Sequence, residues 1–391
     1  MVVGLCAVPV IFAAAGVLEC QDMANAKGRV QAAVDAAALN GAQQLTMAQT
    51  GQGDSALIAT ATEVGNTTFG GALSPEPVTF SVTVDHAAGS VTVTAQTEHK
   101  PLIGFMGFGD QTITASATAD SLQKNAPLCI LETGPSGGIT LNDSARIRAT
   151  GCAVHANDDI SVGASAEIQA EVTQATGLVS GPVQPAAQSG ALAIDDPFTG
   201  LDLTPPSTCT SSGKQVIAGQ DIVTLAPGVH CDSYKVSGQA TLQLLPGEHY
   251  FMQPLEIKQN ASLLGDDVTL IFGLGQAFTF GDSGLVRITA RRSGKFAGFL
   301  IATTRTNTAQ FTIGSGNVSQ LLGTIYIPDA ELNVTTAGNV AQDSAWSVIV
   351  AKRLTLNQNP NLIINNNYVG SGVPVPDGVG PKASDKPTLV K

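Results

Sequence analysis

The chain has 391 residues, a formal net charge of −12 and only 13% charged residues. This composition argues against nucleic-acid binding, because no basic stripe is available to meet phosphates. The hydrophobic fraction of 43% argues against an intrinsically disordered chain. The 42 glycines, placed among short apolar runs, favour many strands joined by tight turns.

Residues 2–18 form an apolar run without a charged side chain. At about 1.5 Å per residue, a helix over this run is about 26 Å long, close to the hydrocarbon thickness of a bilayer. We therefore predict an N-terminal transmembrane helix. A secretory signal peptide ending near the alanines at 13–15 and a buried core helix are alternatives. A lipoprotein signal ending at Cys20 is a third, which Glu19 disfavours because a small residue is required before the Cys.

An Ala-rich helical pattern follows the apolar run and continues to about residue 50, where Gly51 and Gly53 break it. Residues 56–64 add a short helix. Residues 77–84, 90–95 and 112–118 alternate apolar and polar side chains, the pattern of half-buried strands. The predicted parts are a membrane helix and stalk over residues 1–50 and a small α+β or β region over residues 51–125.

Short apolar pieces separated by Gly, Asn or Asp recur from residue 127 to residue 368, often about 10 or 20 residues apart. Two close copies, at residues 225–231 and 244–250, place their Pro-Gly pairs 19 residues apart. Such a period is typical of a solenoid whose turns stack to bury a shared core. We predict a mainly β protein with a right-handed parallel β-helix-like solenoid over residues 126–369. A β-sandwich or jelly roll is the alternative.

Two further segments of this part lack the repeating texture. Residues 174–206 are rich in Gly, Pro, Ala and Gln and are predicted to form a long loop between coils. Residues 370–391 contain four prolines and few large apolar side chains. We predict a disordered Pro-rich tail there.

Four of the six cysteines fall in the solenoid as two pairs, spaced 23 and 22 residues apart. No CxxC pair is present, which weakens zinc-binding and thioredoxin-like interpretations. Two local disulfides in an oxidising compartment fit the spacing, and buried free cysteines are the alternative. The candidate disulfide residues are Cys129, Cys152, Cys209 and Cys231.

Acidic and basic side chains that could form a carbohydrate-active site recur along the solenoid. Adjacent aspartates point to opposite sides of a strand or lie in turns, so they make poor acid–base pairs. His230 and His249 occupy the same position of the repeat, and the family resemblance described below implies packing there over metal binding, since similar proteins often have Tyr at this position. We predict no catalytic residue, no cofactor and no metal site. The candidates considered are Asp158, Asp159, Asp266, Asp267, Asp282, Arg287, Arg291 and Arg292.

The helix after the apolar run contains a Gln followed by Asp-Ala-Ala-Ala-Leu-x-Gly-Ala, at Gln31 and residues 35–42. This arrangement resembles the N-terminal segment of TadG-like Flp pilus-assembly proteins. Ordered β segments, among them residues 128–131, 151–157 and 323–328, are similar to a region that follows the anchor in some relatives. No Asp-x-Ser-x-Ser motif of a von Willebrand A-type domain is present in the sequence.

The resemblance implies a non-enzymatic, single-pass inner-membrane protein whose soluble part is periplasmic or extracellular. Its partners would be the membrane, other Flp/Tad pilus components and, for an adhesive surface, a glycan. The candidate assembly contacts are Glu19, Gln31, Asp35 and Leu39. At the membrane exit, Glu19 is expected to be an interfacial carboxylate in water or to pair with another pilus component. A carbohydrate-active β-helix enzyme and a surface adhesin are the alternative functions.

Overall fold

A computed structural model of the chain describes residues 2–45, 54–70, 77–85, 89–101, 109–120, 126–210 and 214–380. Side chains are described in these ranges except at residues 2–15, 43, 120 and 214. The chain divides into two compact units, residues 1–125 and 126–391. Each unit is described separately below.

The first unit packs two helices, α1 (Val2–Gln44) and α2 (Asp54–Gly70), on an antiparallel sheet. The sheet has the order β1 (Val78–Asp85), β2 (Ser90–His99), β3 (Gln111–Asp120). Alternate residues of β2 from Val91 to His99 are buried, which is the period of 2 expected of a sheet with one covered face. The predicted strands of this region therefore lie close to the observed ones.

Helix α1 buries one stripe of small and branched side chains against this sheet, beginning at Ala26 and including Val30 and Val34. A glycine on each helix allows it to lie close to the sheet. A Cβ atom on Gly41 would lie 2.9 Å from Cγ1 of Val91, and one on Gly65 would lie 2.7 Å from the Phe80 ring. The structure thus places the stalk helix and the small β region, predicted as separate parts, in one unit.

Within the described part of the chain, no helix has both the length and the apolarity needed to cross a membrane. Most side chains of the apolar run at residues 2–18 lie outside that part. The predicted transmembrane helix therefore stays a prediction.

The second unit is a parallel β-solenoid of about ten turns, as predicted. Its strands form three stacks, A, B and C, that run along the solenoid, and every turn contributes strands to them. Four long strands bend through corners and serve more than one stack: β6 (Arg146–Ala156), β8 (Glu167–Ala175), β25 (Val318–Val340) and β26 (Ser347–Ile363).

The remaining strands belong to one stack each. Stack A contains β5 (Ile139–Leu141), β7 (Ile160–Val162), β9 (Val179–Ser180), β12 (Lys214–Ile217), β15 (Ser233–Val236), β18 (Leu255–Ile257), β21 (Phe278–Phe280) and β24 (Gln310–Ile313). Stack B contains β10 (Val183–Gln184), β13 (Ile222–Leu225), β16 (Thr241–Leu244), β19 (Ser262–Gly265) and β22 (Leu285–Thr289). Stack C contains β4 (Leu128–Glu132), β11 (Gln188–Ser189), β14 (Gly228–His230), β17 (Gly247–Phe251), β20 (Val268–Phe272) and β23 (Phe299–Thr303).

The order of the turns in space differs from their order in the chain. The solenoid begins in sequence with residues 128–189, here called the cap, and continues with residues 214–363, here called the body. The last strand of the body, β26, pairs in parallel with β4, β5 and β6 of the cap. We call this contact the seam. The first turns of the chain therefore sit on its last turns and extend the same stacks.

The cap and the body are joined by residues 190–213, here called the linker, of which residues 190–210 are described. The linker returns along stack C toward the far end of the body. Asn157 of the cap makes two 2.8 Å hydrogen bonds to the backbone of Ile194. Two residues later the hydroxyl of Tyr326, in the body, donates to Oδ2 of Asp196 over 2.6 Å. The predicted loop at residues 174–206 is thus partly strand and partly a packed connection.

The corner between stacks A and B repeats one device. A residue with positive φ ends the stack A strand, as at Gln259 and Asp282 with φ of 57° and 54°. The side chain of this residue accepts a hydrogen bond from a backbone N–H one turn away. Gly238 N–H donates to Gln259 Oε1 over 2.7 Å, and Gln259 N–H donates to Asp282 Oδ2 over 3.0 Å. These links explain why Gly, Gln and Asp recur at this position.

The C-terminal segment was predicted to be disordered from residue 370, and this is wrong for residues 370–380. Val373 and Val379 are buried, and Gly380 forms an antiparallel bridge with Leu128. The indole N–H of Trp346 donates to the hydroxyl of Ser371 over 3.1 Å. Apolar side chains and a tryptophan partner hold this segment despite its prolines. Residues 381–391 lie outside the described residues.

Candidate functional site

The first candidate contact on α1, Glu19, is buried within its own unit. Only 7% of the residue is exposed, and its Oε1 lies 3.5 Å from Nε2 of His99 at the end of β2. Oδ2 of Asp22 lies 3.7 Å from the same nitrogen. The expectation of an interfacial carboxylate in water is therefore wrong, because a sheet histidine covers Glu19. Its contact with His99 supports the packing of α1.

The other three candidate contacts lie along one line of α1. Gln31 Nε2 donates to Asp35 Oδ1 over 2.8 Å, an i, i+4 pair on the helix surface. Leu39, four residues further, is 60% exposed. The buried stripe of the helix, with Val30, Val34 and Ala38, lies about 100° away around the helix axis. The motif thus has two faces: one packs on the sheet, and the other leaves an apolar side chain beside a polar pair.

The N-terminal part of the described helix side chains also presents apolar surface. Val17 and Leu18, at the end of the apolar run, are 66% and 57% exposed. Met23 is exposed as well. The described start of α1 therefore carries three exposed large apolar side chains.

The four solenoid cysteines form two disulfides, and each disulfide joins one cysteine to the next cysteine along the chain. Cys129 is bonded to Cys152 and Cys209 to Cys231, with Cα atoms 5.7 and 5.8 Å apart. The first bond lies within the cap and joins β4 to β6, with both cysteines fully buried. The second ties the exposed end of the linker to the residue after β14. Cys20, on α1, is free and exposed.

The Asp–Arg candidates are brought together, but they neutralise each other. Arg292 binds Asp266 through both NH groups, at 2.9 and 2.8 Å. Arg291 donates to Asp267 Oδ2 over 2.7 Å, and the backbone N–H of Arg292 donates to Asp267 Oδ1 over 2.6 Å. The Arg292 guanidinium holds the pKa of the Asp266 carboxyl below its usual range. Both carboxylates of this corner are held in ion pairs, which leaves no free general acid there. The ion pairs hold the turn in place.

The remaining acidic candidates cap turns. Asp158 Oδ2 accepts from Gly137 N–H over 2.7 Å, and Asp159 Oδ1 accepts from Leu178 N–H over 2.7 Å. Asp282 serves the corner described above, and Arg287 is exposed on stack B. The structure therefore does not bring these side chains to one cleft. Their positions follow the turn chemistry of Asp.

Sequence reasoning missed a buried carboxyl group with a raised pKa, Glu132 at the end of β4. The residue is fully buried beside the seam. Its Oε1 accepts from Gly134 N–H over 2.6 Å and its Oε2 from Asp158 N–H over 3.2 Å. Burial raises the pKa of the Glu132 carboxyl to about 7, against the opposing effect of these hydrogen bonds. A Glu directly after four apolar residues, and followed by Thr-Gly, was the available signal.

The histidines form a buried group inside the body. His230 Nε2 lies 3.0 Å from His249 Nδ1, and His249 Nε2 lies 2.8 Å from the carbonyl of Leu245. This chain of bonds makes His249 a donor at Nε2 and an acceptor at Nδ1. The ring of Phe251 lies 5.2 Å from that of His230, centroid to centroid. This arrangement agrees with the prediction that His230 and His249 pack inside the solenoid.

No group of His, Cys, Asp or Glu within the described ranges has a metal-binding arrangement. Comparisons of the chain with protein families, curated proteins and solved structures find no match. The functional argument therefore depends on the geometry of the two units and on the sequence features described above.

Proposed function

We propose that the protein is a membrane-anchored structural component of a Flp/Tad-type pilus system, with the solenoid as its outward scaffold. The observation that carries this proposal is the form of α1. One continuous helix runs from Val2 to Gln44, and its second half packs on the sheet. Its first half holds the apolar run. A helix with a folded end and an apolar end suits anchoring a soluble domain at a bilayer.

The exposed line of α1 supports an assembly role. Leu39 projects beside the Gln31–Asp35 pair, in the motif that resembles TadG-like proteins. An apolar anchor next to polar groups is the usual composition of a helix–helix contact. We propose that neighbouring pilus components pack against this line, and that the protein acts by placement and not by catalysis.

The charge-paired corners of the solenoid support a scaffold more than an enzyme. Asp266 and Asp267 are held by arginines, and Asp158 and Asp159 by backbone N–H groups. These corners are held rigid, because each of these contacts links one turn to the next. The solenoid would then hold an adhesive or connecting surface away from the membrane.

The test is membrane association of an epitope-tagged full chain after alkaline extraction. The variant Val10→Asp/Ile11→Asp places two charges in the apolar run, where each costs about 3 kcal/mol in a bilayer. We expect the unchanged chain in the membrane pellet at full mass and the variant in the supernatant. The matched control is Leu178→Asp/Leu274→Asp, which changes two exposed apolar residues of the solenoid and leaves membrane association intact.

Two results would overturn the anchor. Recovery of the unchanged chain as a shortened soluble species would make the apolar run a signal peptide. Retention of the Val10→Asp/Ile11→Asp variant in the pellet would place the membrane contact elsewhere. Protease added to intact spheroplasts then reports whether the solenoid lies outside the inner membrane.

A further inference from the structure

The seam is a parallel strand interface between parts of the chain that are far apart in sequence. Ile130 pairs with Ile349, Ile139 with Leu354, and Ile147 with Leu362. All of these side chains are buried. The seam therefore has the same strand register and apolar core as any other junction between turns, although no peptide bond connects the turns that meet there.

Polar ladders also continue across the seam. Asn142 Nδ2 donates to Asn357 Oδ1 over 2.8 Å, and Asn357 Nδ2 donates to Asn333 Oδ1 over 3.2 Å. Gln358 N–H donates to Asp143 Oδ2 over 2.8 Å, which is the corner device seen within the body. The cap surface and the body surface are thus specific for each other. Each is an open strand edge when the other is removed.

The covalent cross-links leave the seam free to open. Cys129–Cys152 lies within the cap, and Cys209–Cys231 ties the linker to the body. Between the cap contact at Ile194 and the body contact at Asp196, the linker crosses the seam through exposed Asp195. Opening requires no bond to break other than hydrogen bonds. If about ten linker residues are released from the solenoid surface, the extended linker can span about 33 Å between the body and its own cap.

From these observations we propose that two copies of the chain exchange caps, so that the cap of each copy completes the solenoid of the other. The exchanged interface contains the same strand pairs as the seam, so its contacts match those of a single chain. The dimer is closed and isologous, because each copy donates one cap and accepts one. The partner is a second copy of this chain, and cap exchange does not depend on the pilus function.

A mixed disulfide tests cap exchange directly. Thr140 and Thr355 are paired across the seam and half-exposed on stack A. Adjacent strands lie about 4.8 Å apart, within the range that a disulfide spans. Two differently tagged full chains, one with Thr140→Cys and the other with Thr355→Cys, are coexpressed in an oxidising compartment. Neither chain can close this bond alone, so a mixed disulfide at twice the chain mass forms only when the cap of one lies on the body of the other.

Three controls fix the interpretation. The pair Thr140→Cys and Asn333→Cys on separate chains should give no mixed disulfide, since Asn333 lies one strand beyond Thr355. This control also reports background from the free Cys20. A single chain with Thr140→Cys and Thr355→Cys should oxidise, which shows that the geometry permits the bond. A single chain with Asn333→Cys and Thr355→Cys should oxidise within the body in monomer and dimer alike.

We expect the mixed disulfide for the Thr140→Cys and Thr355→Cys chains, with a yield that rises with expression level. Exchange is overturned if the single-chain double variant oxidises while the coexpressed pair gives no more mixed product than the Asn333→Cys control. If the single-chain double variant fails to oxidise, sedimentation of the unchanged chain decides: a dimer whose fraction depends on concentration supports exchange, and a monomer at all concentrations overturns it.

Discussion

His230 stacks on His249 with ring centroids 5.2 Å apart and planes inclined by 22°, inside the body of the solenoid. Burial lowers the pKa of His230 to about 4 from an ordinary value of 6.5, and it lowers the pKa of His249 as well. Both rings are therefore held in the neutral form. In the cap, burial lowers the pKa of His155 to about 4.

These histidines predict a loss of stability in acid. A group whose pKa is lower in the folded state stabilises the fold above its unfolded pKa, and this stabilisation is lost as pH falls. His230 and His155 should therefore each remove up to about 3 kcal/mol between pH 6.5 and pH 4. Chemical denaturation of the full chain at several pH values measures this loss. The variant His230→Phe should show a shallower decline, and an unchanged slope would contradict the assignment.

Glu132 predicts the opposite dependence at higher pH. Its folded pKa of about 7 lies above the ordinary 4.5, so the stabilisation is complete below pH 4.5 and is lost as pH rises through 7. The loss is about 3 kcal/mol. In Glu132→Gln this dependence should disappear, although one backbone hydrogen bond is lost at all pH values. The unchanged protein should therefore be more stable by about 1 kcal/mol near pH 4.5, from that hydrogen bond, and Glu132→Gln should be more stable by about 2 kcal/mol near pH 8. Parallel curves would exclude the raised pKa.

The two disulfides should differ in their sensitivity to reductant. Cys209 is exposed and Cys231 half-buried, whereas Cys129 and Cys152 are fully buried. Mild reductant should therefore open the Cys209–Cys231 bond first. Alkylation of the freed thiols, followed by mass spectrometry of the peptides, measures this order. Cys231→Ser should lower the stability of the body by about 3 kcal/mol, from the loop that the bond closes. Cys20→Ser is the control and should leave the melting temperature unchanged. Simultaneous labelling of all four cysteines would contradict this order.

Gly41 should resist substitution more than another glycine of the same helix. A Cβ atom at Gly41 would lie 2.9 Å from Val91, whereas one at Gly28 meets no atom within 4 Å. Gly41→Ala should destabilise the first unit by about 1–2 kcal/mol, because α1 must move from the sheet. Gly28→Ala should stabilise it by up to about 1 kcal/mol through helix propensity. Thermal unfolding followed by circular dichroism compares them, and equal shifts would show that the sheet contact is unimportant.

The sequence predicted the repeating architecture because the stacking of turns is a local pattern. A 19-residue offset relates β12 to β15 and β13 to β16, and it equals the spacing of the two Pro-Gly copies. In stack C the register departs from it, since Gly228 pairs with His249, two residues beyond the equivalent glycine. The right-handed sense of the solenoid stays a prediction.

The order of the turns could not be predicted from spacing. Pairing between two strand edges depends on their apolar patterns and not on which strand comes first in the chain. The cap could therefore have preceded or followed the body in space. One signal was present: Leu-Asn-Asp at residues 141–143 and Leu-Asn-Gln at residues 356–358 occupy equivalent corners on the two sides of the seam. Glu19 was mispredicted because its partner, His99, lies 80 positions away in the chain.

The seam also affects how the protein is made. Ile130 leaves the ribosome more than 200 residues before its strand partner, Ile349. At about 5–20 residues per second, the cap waits on the order of 10–40 s with one strand edge uncovered. During this interval the edge is open to any extended chain nearby, including a second nascent copy on the same message.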